Sequence, residues 1–225
     1  MFSELKNIPE AWRKAISSKW FIHQLLVSVF LLVVAGAHNF HYLQVWEERE
    51  GVQLNDMILQ HLPSIDFSLW IFLVEYSTLL LVFIFILPHP QRLVQGIQMF
   101  ALVTFTRTIC IYFVALEPPQ GMIHLIDPCA EFFLHSNGVF VTKDLFFSGH
   151  IAAITLLMLL TTHKYVKIWA LIATILVSIM LLTQHVHYTF DILFAPIVSF
   201  IGYKVVLFIH SQTQLKSVQF LHQEN

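Results

Sequence analysis

Charge is scarce in this chain. Asp, Glu, Lys and Arg together make up 12% of it, where a soluble domain carries about 25%. So little charge leaves too few polar groups to clothe a water-facing surface. Basic residues occur at most as pairs and the formal net charge is -2, so the basic footprint of a nucleic-acid binder is missing. Cysteine is equally sparse. Cys110 and Cys129 make neither a disulfide framework nor a metal-type spacing. Cys110 falls in an apolar run, where a thiol is inert, and a Cys110–Cys129 bridge is the one pairing left open. A cleavable leader is not expected, because no short apolar core with a small-residue cleavage site follows the basic start.

Apolar sequence fills the space that charge leaves. The chain is 57% hydrophobic with a mean hydropathy of +0.71, and runs of about 20 apolar residues, the length of a membrane span, recur along it. Six such runs are read, at 20–46, 67–87, 93–116, 145–162, 165–182 and 189–209. Pro88 and Pro90 close the second, and Pro118 and Pro119 close the third. The first turns polar at His38, Asn39 and His41, as a helix does on reaching an interface. The longest loop is 117–144. The predicted fold is an all-α membrane protein: a six-transmembrane-helix bundle over 20–211, a short polar tail at 212–225, and an amphipathic segment at 1–19. In that segment Lys6, Arg13, Lys14 and Lys19 alternate with Phe2, Leu5, Ile8, Trp12 and Ile16, which suits a helix lying in the interface.

The loops are asymmetric in charge. With both termini cytoplasmic, the inner segments hold Lys6, Arg13, Lys14, Lys19, Arg92, Lys164, Lys167 and Lys216. The outer ones hold only Arg49 and Lys143 beside seven acidic residues. That matches the preference for basic residues on the inner side. It places His150, His187 and Asp191 together at the outer ends of their helices.

Ionisable residues inside spans are expensive, which makes each a functional candidate. Asp144, Ser148, Gly149 and His150 open the fourth run; His187, Tyr188, Thr189 and Asp191 open the sixth. His187 and Asp191 stand i, i+4, one helical turn apart on one face. A carboxylate there can hold one imidazole nitrogen and leave the other nucleophilic. Gly149 permits close backbone approach to a ligand, and a helix N-terminus beside it offers N–H groups to a phosphate. Arg107, inside the third run, needs an anion such as a phosphate or carboxylate. Glu75, in the second, is either that partner or the group that orients a histidine. His38, His41, His124, His163 and His185 read as interfacial filler. His185, His187 and Asp191 form a weak metal set, because residues at i, i+2 point to different sides of a helix. No metal or cofactor is called for.

KDLFFSGH at 143–150 followed by HYTFD at 187–191 resembles the sphingomyelin synthase family, within the wider lipid phosphatase and phosphotransferase group. RTICIYFVALEPPQGM at 107–122 is similar to the family's Arg-containing third span and the proline-rich stretch after it. LPSIDF at 62–67 resembles its Leu-Pro-Asp motif, and Glu75 falls where the family carries an intramembrane glutamate. There are departures. Thr142-Lys143 replaces Cys-Gly before the aspartate, Leu116-Glu117-Pro118-Pro119 replaces Leu-Pro-Val-Pro, and Ser64-Ile65 separate Pro63 from Asp66. They bear on the substrate rather than on the chemistry.

The resemblance implies transfer of a phospho-headgroup from a glycerophospholipid to ceramide, with release of diacylglycerol. Catalysis is then expected from His187 as nucleophile, oriented by Asp191, and from His150 as proton donor and acceptor, held by Asp144. Glu75, Ser148 and Gly149 support the site, and Arg107 and Tyr188 bind substrate. Both substrates are membrane lipids; the headgroup is open between phosphocholine and phosphoethanolamine. The membrane is open among Golgi, plasma membrane and bacterial inner membrane, and the oligomeric state is unread. A lipid phosphatase or phospholipase C-like hydrolase using the same histidines is the first rival, although the chain lacks that group's Lys-x6-Arg-Pro motif ahead of SGH. A non-catalytic lipid-binding protein is the second.

Overall fold

The computed structural model describes residues 7–127 and 141–223, with the side chains of 43, 44 and 213–223 excepted. Residues 1–6 of the amphipathic segment, the middle of the 117–144 loop and Cys129 lie outside the described residues. Within them the chain is helical and has no named strand, only an isolated parallel bridge between Val52 and Leu116.

The helices start and stop where local chemistry dictates. Pro9 opens α1 (Ile8–Ile16), a position where a missing N–H costs nothing. Ser18 caps α2 (Lys19–Glu48) by accepting from Phe21 N. Asp66 Oδ1 accepts from the Ser68 amide and hydroxyl at the head of α3 (Ser68–Ile86). Pro90 opens α4 (Pro90–Phe113). At its far end the carbonyls of Ile111 and Tyr112 have no helical partner. Arg49 donates to both, at 2.7 and 2.6 Å, and so meets the negative end of the helix dipole. The remaining helices are α5 (Gly149–Leu160), α6 (Lys164–Thr183) and α7 (Thr189–Gln223). The first run is one continuous helix through His38, Asn39 and His41, ending at Glu48, two residues beyond the predicted run.

Five of these helices are long and apolar enough to cross a membrane: α2, α3, α4, α6 and α7. The fourth predicted run differs. Its helix has 12 residues, about 18 Å at 1.5 Å per residue, short of a hydrocarbon core about 30 Å thick. The helix cannot begin at Leu145 because Ser148 has left helical geometry (ψ 118) to cap it, accepting from Ile151 N. Leu145, Phe146, Phe147 and Ser148 therefore enter as irregular chain, all buried. Such backbone at membrane depth is tolerated only when protein covers it.

α5 is the centre of the bundle, packed against α3, α4, α6 and α7. Ile151, Ile154 and Leu156 on it are almost fully buried among Ile71, Val177, Leu181 and Ala195. The outer helices show the reverse pattern: Phe30 and Val33 of α2, Leu80 of α3, Ile179 of α6 and Phe208 of α7 are exposed, as lipid-facing residues would be. α2 packs chiefly on α4. Toward the other end of the bundle, Gln98 joins Ser28 and His210 across three helices.

The end carrying the α3, α5 and α7 N-termini is tied together by side chains from the loops. Gln184 is fully buried, accepts from Phe67 N and donates to Ser68 Oγ. Asp56 accepts from the amide and hydroxyl of Thr189 at the head of α7. Val52 N donates to Ala115 O and Glu117 N to Val52 O. The strand-like contact needs a glycine beside it. A Cβ on Gly51 would lie 2.6 Å from the Leu116 carbonyl carbon.

Candidate active site at the mouth of the bundle

Two imidazoles face each other here. His150 is the second residue of α5; His187 stands in the turn just before α7. Their ring centroids are 6.5 Å apart. Each has a carboxylate at Nδ1. For His150 it is Glu75 Oε2, at 2.8 Å from α3. For His187 it is Asp191 Oδ2, at 3.4 Å, an ion-pair distance rather than a well-aligned hydrogen bond. In both cases a carboxylate at Nδ1 favours a proton there and leaves Nε2 for chemistry.

His187 does not sit on a helix with Asp191, as the i, i+4 spacing suggested. The helix begins at Thr189, and the carboxylate folds back over its first turn to accept from Tyr188 N at 3.1 Å. A carboxylate in the first turn also suits the helix dipole. Asp191 O accepts from Ser148 N at 3.3 Å, which joins the two histidine-bearing segments directly. Asp191 and Ser148 are both fully buried. Phe72 meets the His150 ring edge-on at 5.6 Å.

The partner expected for His150 was Asp144, and the geometry reassigns it. Glu75 holds His150, while Asp144 Oδ1 lies 2.6 Å from Arg107 Nη1. Arg107 does more than neutralise that aspartate. Its Nε donates to Phe147 O at 2.7 Å and Nη2 to Asp144 O at 2.9 Å. Those are the carbonyls of the irregular entry to α5, which have no helical donor. The planar guanidinium fork serves three acceptors at once, which a lysine could not. Gly149 makes room for it: a Cβ there would stand 3.3 Å from the Arg107 guanidinium carbon. The close approach that Gly149 permits is thus to Arg107.

Tyr188, expected to bind substrate, is 1% exposed. Its hydroxyl donates to Glu117 O at 2.8 Å and accepts from Leu54 N at 3.1 Å. It ties two loops to the head of α7, and its one hydroxyl proton is committed to Glu117 O.

Four residues around the mouth, Glu47, Lys143, Glu117 and Asp56, carry structural work that their sequence positions do not announce. Glu47, at the end of α2, accepts from Thr142 N, Lys143 N and Thr142 Oγ1. Lys143 Nζ donates to Arg49 O and Glu117 Oε1, and Glu117 also accepts from Gly51 N. Lys143 is the first cause holding the Glu117 carboxyl below its ordinary range, with Gly51 N–H second. Asp56 is likewise held low: burial pushes its carboxyl up, but the hydrogen bonds from Thr189, Leu59 and Ile58 together outweigh it. No local pattern announces these partners, since Asp56 and Thr189 are 133 residues apart.

The segment that carries most of this chemistry also has a recognisable sequence. Residues 143–210 match the family model described as PAP2 superfamily C-terminal. The match supports the lipid phosphatase and phosphotransferase superfamily. It spans less than half of the chain but includes Asp144, Ser148, Gly149, His150, His187 and Asp191. Glu75 and Arg107 lie outside it and reach the site through α3 and α4. No curated protein matches the chain. The coarse reading is that of an integral membrane protein carrying a segment that matches a superfamily of enzymes acting on phospholipids.

Proposed function

We propose that this protein is a sphingomyelin synthase-like phosphotransferase that moves a phospho-headgroup from a glycerophospholipid to ceramide. The observation that carries this reading is the pair of carboxylate-backed imidazoles at 6.5 Å. That spacing suits two nitrogens acting on opposite sides of one phosphorus.

The steps balance with these groups alone. His187, with a proton on Nδ1 facing Asp191, attacks phosphorus through Nε2. The P–O bond to diacylglycerol breaks as His150 gives its Nε2 proton to the departing oxygen. The headgroup phosphate is then carried on His187, which divides one hard displacement into two easier ones. The ceramide hydroxyl attacks phosphorus, its proton passes to His150, and the P–N bond breaks. Glu75 and Asp191 stabilise the positive charge that each imidazole acquires in turn. Arg107 and Gly149 act earlier, by fixing the backbone from which His150 projects.

The bundle is read as six membrane-embedded helices, with α5 shielded by the others and both termini cytoplasmic. The histidine end then faces the lumenal or extracytoplasmic side. α1 lies along the opposite surface, where Trp12 Nε1 donates to Leu87 O at 2.8 Å. A site at the helix ends suits two substrates whose acyl chains cannot leave the bilayer.

The superfamily match leaves the acceptor open, and with water as acceptor the same histidines would give a hydrolase. Incubation of the purified protein with labelled ceramide and mixed phospholipids, followed by mass analysis of lipids, separates the readings. A phosphorylated-headgroup ceramide that disappears in His187→Ala, and persists in chelator, is the expected result. Water-soluble phosphate ester with no label on ceramide would establish the hydrolase instead.

A further inference from the structure

A cavity of about 520 Å³ opens among the loops at the histidine end of the bundle. Its rim carries the exposed carboxamides Gln53, Asn55, Gln60 and Gln120. A rim of donors and acceptors this open to the outside holds water. The floor is different, with Leu59, Leu62 and Tyr188. His185 also lines the cavity, but His187, which stands between His185 and Tyr188 in the chain, does not. The turn 185–188 is therefore a partition one turn thick. On one side His187 meets Asp191 and His150. On the other, the Tyr188 hydroxyl donates to Glu117 O at 2.8 Å and accepts from Leu54 N at 3.1 Å.

The partition is apolar. Tyr188 packs in one buried cluster with Leu59, Leu116, Leu145 and Phe146, and Leu62 and Leu182 pack against it. Leu59 and Leu62 are also the cavity floor, while Leu145 and Phe146 belong to the buried segment that leads to Ser148 and His150. An apolar layer between the two gives water no polar partner with which to cross. Tyr188 is 1% exposed and His187 3%. His150 is the open member of the pair, with a side chain 25% exposed. An acceptor therefore reaches the phosphorus past His150 and not through the loops.

We propose that Tyr188 is a specificity-determining residue, whose ring plugs the septum between this vestibule and His187 and so favours transfer over hydrolysis. This rests on the phosphotransferase reading above and concerns its second step. There water can replace the ceramide hydroxyl. Its oxygen bonds to phosphorus, the P–N bond to His187 breaks, one proton passes to His150 and the other stays on the released phosphate ester. Both outcomes start from the same phosphohistidine, so the split between them is set by which acceptor reaches it. Tyr188 takes no part in the bond changes.

The test uses the full chain in nanodiscs that hold ceramide with headgroup-labelled phosphatidylcholine and phosphatidylethanolamine. It reads the ratio of water-soluble phosphate ester to headgroup-ceramide. A fold defect lowers both products together and leaves that ratio alone. Tyr188→Ala should raise it about tenfold, the low end of what apolar packing contributes to discrimination. Leu59→Ala, on the vestibule side of the septum, should raise it too, and Tyr188→Phe, which keeps the ring, should hold the parent ratio. Hydroxyl-radical footprinting of the same proteins reports water at His187 without turnover, and decides for any variant that has lost activity. Labelling of His187 should be low in the parent and should approach that of the exposed His61 in Tyr188→Ala. An unchanged ratio in both alanine variants overturns the septum and leaves the transferase standing. So does a rise in Tyr188→Phe equal to that in Tyr188→Ala, and so does His187 labelling that stays low in Tyr188→Ala or already matches His61 in the parent. Soluble ester from the parent with no ceramide product instead overturns the transferase reading, and the role of the septum with it.

Discussion

Replacing Asp191 with asparagine keeps the shape of the side chain and removes its charge. The carboxylate is fully buried and Oδ2 lies 3.4 Å from His187 Nδ1. At that separation, two unit charges in an effective dielectric of about 20 attract by about 5 kcal/mol. The proposed mechanism puts a positive charge on His187 only once phosphorus is bonded to Nε2, so this attraction belongs to the reacting state. Its loss corresponds to a fall in kcat of three to four orders of magnitude, since about 1.4 kcal/mol is tenfold. Stability should move little. An asparagine oxygen still accepts from Tyr188 N, and the unpartnered Asp191 Oδ1 ceases to be a buried charged acceptor. The assay is initial-rate transfer to labelled ceramide in detergent or nanodiscs, with kcat and KM resolved and a thermal melt run alongside. Asp191→Asn within about tenfold of the parent kcat would refute the reasoning. A collapse in Tm of the same variant would show that the aspartate serves the fold instead.

Three further outcomes follow from the same contacts. Glu75→Gln should slow transfer by about 10²–10³ with little change in KM, because His150 loses the group that holds Nδ1 at 2.8 Å; steady-state kinetics decides. Arg107→Lys should destabilise the protein by about 3 kcal/mol, since a lysine cannot serve Asp144 Oδ1, Asp144 O and Phe147 O together, and chemical denaturation of the purified variant measures it. Stability should fall in acid, because Asp56 has a folded pKa below its unfolded value of about 3.9. Its contribution is complete above that value and is lost as pH drops through the folded pKa. Asp56→Asn should flatten this part of the pH–Tm curve.

The helical plan was legible because apolar length is written locally, and α2, α3, α4, α6 and α7 follow it. The fourth run was legible only in part. Its apolar residues are continuous, but Ser148 prefers to cap and Arg107 supplies donors to the carbonyls that unwinding frees. The helix therefore starts four residues later than hydropathy implies. Pairing was harder still. Sequence reading required an anion for Arg107 and a carboxylate for His150, but which carboxylate goes where depends on how α3, α4 and α5 pack. Glu75 is 75 residues from His150, and nothing local distinguishes it from Asp144. Tyr188 sits beside His187 in sequence, yet its hydroxyl points to Leu54 and Glu117. Adjacent residues in an irregular turn need not share a site. The place of His185 could not be foreseen either: read as filler, it is buried with Nδ1 2.9 Å from Gln120 O of a different loop.

The central claim is that His187 carries the headgroup phosphate while His150 manages protons across the same phosphorus. Rapid mixing of the protein with a headgroup-labelled donor lipid, without ceramide, then an alkaline quench and peptide mass analysis, tests it directly. The account predicts a phosphoester-headgroup adduct on His187, formed before any turnover and absent from His187→Asn. Efficient transfer with no adduct at any time, or an adduct on a different residue, would contradict it.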